Sequence, residues 1–161
     1  MNLSLRQNIW KSDESGLGFY CVNIIESSLV NPDLKELLKS DILKEREFKE
    51  ISSISKVLQG NPKYYGAFLK EKIDVTDFEK LDFDGLKHNL SEYWKDKNWG
   101  DDLPIFRKNF ELAASHLDSF ELSNRTFYLI NAEKIDLTKL MDPNFFTYFV
   151  CIISTEPKSD K

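Results

Sequence analysis

A chain of 161 residues, 41% hydrophobic and 30% charged, has the length of one domain and can bury roughly two thirds of its unfolded surface. Its formal net charge of −5 opposes the field that nucleic acid or an anionic membrane demands. Neither is therefore expected as a partner, and a basic protein has the complementary sign.

The opening residues, Met1 to Asn8, hold no apolar core of signal-peptide length, and the uncharged run from Phe145 to Thr155 is too short to span a bilayer. Cys21 and Cys151 lie in apolar runs, where a reduced thiol behaves as a small hydrophobe. These features predict a cytoplasmic protein forming one domain over residues 1–161.

In chain order, Leu3, Leu5 and Ile9 alternate with polar residues and read as a half-buried strand. The run Leu17 to Ile25 is apolar, β-branched and aromatic, and completes an expected N-terminal hairpin. Asn31-Pro32-Asp33 predicts a helix start with Asn31 as the cap, followed by an apolar face of Leu34, Leu37 and Leu38. Phe48, Ile51, Ile54 and Leu58 continue at helical spacing until Gly60-Asn61-Pro62. Tyr64, Tyr65, Phe68 and Leu69 suggest a shorter helical face.

Asp84 is the expected cap of a helix bearing Leu86, Leu90, Tyr93 and Trp94. Asp102 precedes another, with Pro104 in its first turn and Leu103, Phe106, Phe110, Ala114 and Leu117 along one side. Thr126 to Ala132 and Phe145 to Ser154 are dense in strand-forming residues. Both faces of the second are apolar, which predicts a central strand covered on both sides. A short helical turn is expected over Leu137 to Met141. Two strands, a helical middle and two strands predict an α+β fold. The terminal pairs should meet in one mostly antiparallel sheet, with the helices packed on it.

No motif carries an assignable chemistry. Gly16-Leu17-Gly18 precedes a strand, whereas a dinucleotide loop follows one, and Cys21 stands where its third glycine belongs. Reading Gly85 as the turn glycine of a calcium loop puts Lys80 and Ser91 where Asp and Glu are required. His88 and His116 have no metal-ligand spacing, and thiols in apolar surroundings are poor nucleophiles. No metal and no cofactor are expected, and no catalytic residue is assigned.

The most pointed feature is acidic. Asp74, Asp77, Glu79, Asp82 and Asp84 stand against the single Lys80, followed by Trp94, Trp99, Asp101 and Asp102. Clustered acids accelerate encounter with a basic protein, and Trp supplies anchors at its surface. A solvated acidic loop beside ordinary core aromatics is the plainer reading of these residues. A carboxylate pair serving general acid–base chemistry is the enzymatic one.

In size, acidity, its eighteen Lys against four Arg and its lack of a catalytic signature, the chain resembles bacterial immunity proteins of contact-dependent or polymorphic toxin systems. That resemblance implies a cytoplasmic, non-enzymatic protein that binds and neutralises a cognate toxin domain, in many such systems a nuclease. The nine acidic and Trp residues would then form the partner-binding surface. A non-catalytic adaptor or mobile-element interaction module is the alternative, and a small enzyme using a carboxylate pair a further one.

Overall fold

The computed structural model describes residues 3–12, 19–27, 32–40, 64–65, 68–95, 102–131, 135–140 and 150–155. The architecture is α+β. Strands β1 (Leu3–Ser12) and β2 (Phe19–Ser27) form an antiparallel hairpin, with a register shift between Leu5 and Gln7. Helix α1 (Leu34–Lys39) follows, then the two-residue strands β3 (Tyr64–Tyr65) and β4 (Phe68–Leu69). A second antiparallel sheet has the order β5–β6–β7, built from Phe78–Leu81, Thr126–Asn131 and Val150–Thr155. Helices α2 (Phe83–Tyr93) and α3 (Asp102–Ser115) lie between β5 and β6 in sequence.

Sheet β5–β6–β7 is buried from both sides, as the alternation of its side chains requires. Phe78, Ile130 and Cys151 join Leu34, Phe68, Ile73 and Ile135 in one apolar cluster, with Tyr128 and Ile153 packed against it. Phe127, Leu81 and Ile152 face the other way, toward Leu86 and Leu90 of α2 and Phe110 of α3. Among the described residues, Ile130 and Phe68 are the largest side chains closed off from solvent, at 1% and 0% exposure. Arg125 pins the entry of β6 to the exit of β7, its Nε donating to Ser154 Oγ at 2.7 Å.

Several expectations are corrected. Among the described residues the hairpin β1–β2 is a sheet of its own, and the C-terminal strands pair with β5 instead. The central strand is β6, whereas β7 pairs only with β6 among the described residues. Apolarity on both faces reports layers above and below a strand and says nothing about its lateral neighbours, so β7 carries a two-faced pattern at the edge of the sheet that the described residues form. Tyr64, Tyr65, Phe68 and Leu69 form strands rather than a helical face, and Phe68 also bridges Leu140.

The helix caps are likewise shifted. The cap of α1 is Asp33, not Asn31, in a reciprocal box with Glu36: Glu36 N–H donates to Asp33 at 2.8 Å, and Asp33 N–H to Glu36 at 2.9 Å. The cap of α2 is Asp82, not Asp84, accepting from Gly85 N–H at 2.7 Å. Leu137–Lys139 forms a 3-10 turn near where a helical turn was expected. Phe48 to Leu58, Phe145 to Phe149 and Gly16-Leu17-Gly18 lie outside the described residues. Among the described residues, no helix is long and apolar enough to cross a membrane.

Candidate acidic interaction surface

The five acids from Asp74 to Asp84 ride on three consecutive elements, a 3-10 turn at Val75–Asp77, then β5, then the start of α2. Their roles separate sharply. Asp74 caps the turn, accepting from Thr76 N–H at 2.7 Å and from the Thr76 hydroxyl. Asp77 closes the box from the other end by accepting from Asp74 N–H at 2.9 Å. The Asp77 carboxylate also receives Lys139 Nζ at 2.7 and 2.8 Å, and that amine lies 3.8 Å from Asp74.

Asp77 is thus half-buried and neutralised, while Asp74 stays exposed. The two Thr76 hydrogen bonds hold the Asp74 carboxyl below its ordinary value, with Lys139 adding to them. Lys139 moves in the opposite direction, raised by Asp77 first and then by Asp74 and Asp136.

Glu79 is exposed on β5, opposite Leu129 of β6. Asp82 is committed to the α2 cap, yet stays at the surface. Asp84, in the first turn of α2, is exposed and lies 2.7 Å from Lys87. The Lys87 amine in turn sits over the Phe83 ring, 4.7 Å from its centroid. Both acids sit at the positive end of the helix, where negative charge is favoured.

The aromatic half of the expected surface is placed differently. Trp94 is half-buried at the end of α2, with Phe106 and Phe110 of α3 each 5.5 Å away between ring centroids and Arg107 5.9 Å from its ring. Much of its area thereby locks α2 to α3. Asp102 opens α3 and is exposed; Trp99 and Asp101 lie outside the described residues.

Sequence reasoning expects a turn near Leu137 but does not show that it is built like the first. Asp136-Leu137-Thr138-Lys139 repeats the pattern of Asp74-Val75-Thr76-Asp77: an Asp cap, an exposed aliphatic residue, then Thr. Asp136 accepts from Thr138 N–H at 2.8 Å, and its carboxyl is held low by Thr138 first and then by Lys139 and Lys72. Lys72 Nζ donates to the Thr138 carbonyl at 2.9 Å, so two lysines staple the turns together. The Asp-x-Thr pattern of a side chain bonding its own backbone two residues on is the signal that marks both turns in the sequence.

Cys151 is buried in the sheet, and His116 meets Tyr20, whose hydroxyl is 3.3 Å from its Nε2. Among the described residues, no three or more His, Cys, Asp or Glu gather in a metal-holding arrangement. Compared with protein-family models, curated proteins and solved structures, the chain matches none.

Proposed function

We propose that this chain is an immunity-type protein that binds a cognate toxin domain and neutralises it by presenting carboxylates to a basic cleft. The observation that carries the reading is the fixed display of Asp74, Glu79, Asp82 and Asp84. Four exposed acids are held along eleven residues by a capped turn, a hydrogen-bonded strand and a helix N-terminus. Carboxylates anchored in this way lose little freedom on binding, so their attraction for a basic surface is not spent on ordering them. Asp74 is held ionised, which suits charge complementarity and is the wrong state for a general acid.

Glu79 and Asp84 are the informative positions, because neither caps an element. Asp77 and Asp82 hold the fold locally, so their reversal would confuse binding with stability. The test is co-expression with a candidate toxin domain, together with measured association rates. Glu79→Lys with Asp84→Lys should lower the melting temperature by a few degrees, since Asp84 leaves the helix N-terminus and Lys87, and slow association by about tenfold or more. It should also flatten the salt dependence and lose protection. Full protection with an unchanged association rate would overturn the reading.

A further inference from the structure

Among the described residues, four large hydrophobic side chains stand exposed: Val75 at 40%, Ile105 at 37%, Leu112 at 44% and Leu137 at 77%. Val75 and Leu137 occupy the same position in the two Asp-x-Thr turns, directly after the capping Asp74 and Asp136. One exposed aliphatic residue is ordinary on a protein surface. Here the position recurs in two turns that the fold joins, through the Lys139–Asp77 ion pair and the Lys72 bond to the Thr138 carbonyl. Asp74, Asp77 and Asp136 all act on the one Lys139 amine, so the two turns share one small region of the molecule.

Leu137 gives little to its own turn. The turn is closed by the Asp136 carboxylate on Thr138 N–H at 2.8 Å and by Leu140 N–H on the Leu137 carbonyl at 3.1 Å. The backbone beneath Leu137 is therefore fixed while its side chain projects into water. An apolar group held in this way loses little freedom when a partner covers it.

The charges around the turns select the cover. Asp77 and Lys139 are half-buried and neutralise each other at 2.7 Å. Asp74 and Asp136 stay exposed, and their bonds to Thr76 and Thr138 hold them ionised. Among the described residues of these turns, the exposed amine that answers them is Lys72, already committed to the Thr138 carbonyl. Two displayed carboxylates against that one amine disfavour an anionic surface, and a second copy of this chain would set like charges face to face. A basic surface with an apolar pocket has both complementary features.

We infer that Leu137, with Val75 on the joined turn, is the apolar anchor of the partner interface, seated in an apolar pocket of a basic protein whose Lys or Arg side chains meet Asp74 and Asp136. The inference rests on the immunity-type reading and adds to it the point at which the partner is held. The displayed acids speed encounter, and Leu137 slows release.

Association and dissociation rates of a candidate toxin domain with the full chain test the anchor. Leu137→Ala should speed dissociation by about tenfold or more, since three buried carbons are lost from the complex. It should leave the association rate, its salt dependence and the melting temperature of the free chain close to wild type. Leu137→Met, nearly equal in volume, should keep the dissociation rate within about threefold of wild type. Wild-type dissociation of Leu137→Ala would overturn the anchor. If Glu79→Lys with Asp84→Lys slows association in the same experiments, the immunity-type reading stands without it. Wild-type kinetics in both variants, or no binding of the domain to the unaltered chain, would overturn the reading and the anchor together.

Discussion

Truncating Ile130 to alanine tests the layering of the sheet most directly. Ile130 is 1% exposed in β6, paired with Phe78 on one side and Cys151 on the other. It shares its cluster with Phe68, Leu34 and Ile135, which reach it from β4, α1 and the segment after β6. Each of the three carbons removed forfeits about 0.8 kcal/mol of burial. Neighbours held in paired strands and a capped helix cannot collapse fully into the space, so a cavity term of about half that size adds to this. The total is about 3–4 kcal/mol, inside the range for buried Ile→Ala changes. For a chain of this length that is a fall in melting temperature of about 6–16 °C. Thermal and urea unfolding followed by circular dichroism reads it, with an unchanged urea slope marking a pure loss of stability. A fall under about 2 °C would mean that β6 is not enclosed between two layers.

Leu137, 77% exposed at the tip of its turn, is the natural contrast: Leu137→Ala should change stability by no more than about 0.5 kcal/mol in the same assay. Asp82→Ala removes the acceptor for Gly85 N–H and should cost about 1 kcal/mol of unfolding free energy, and Asp82→Asn much less, since its amide oxygen still caps. Asp74 and Asp136 have carboxyls lowered from the ordinary 3.8. A lowered folded value stabilises the protein above the unfolded pKa, and that contribution disappears as pH falls through the folded one. Melting temperature should therefore decline from about pH 4 downward. Asp74→Asn with Asp136→Asn, keeping both caps, should flatten that decline; identical acid profiles for variant and wild type would refute the assignment.

Much of the local structure is legible in the sequence because its causes are local. The aromatic and β-branched run at Thr126 predicts β6, and the apolar spacing of Phe106, Phe110 and Ala114 predicts α3. The caps were misplaced by two residues in both cases, Asn31 for Asp33 and Asp84 for Asp82, because several capping side chains crowd each helix start. β5 was not legible at all: Phe78-Glu79-Lys80-Leu81 is short and half charged, and it is a strand because β6 offers it a hydrogen-bonding edge. Likewise, composition marks 74–84 as acidic but cannot show which acids remain available. Lys139 neutralises Asp77 from 62 residues away, and Trp94 is drawn into the contact between α2 and α3.

The sequence by itself therefore determined the α+β class, the hairpin, α2, α3, β6, β7 and the existence of an acidic stretch. Each follows from side-chain periodicity or charge over a dozen residues or fewer. Only the tertiary structure decided the strand order, the separation of β1–β2 from the main sheet, and the division of the acids into structural and displayed ones. Those depend on lateral pairing and on ion pairs between distant segments. Residue spacing along one segment records which faces are apolar, but not which strand lies beside it or which lysine reaches across.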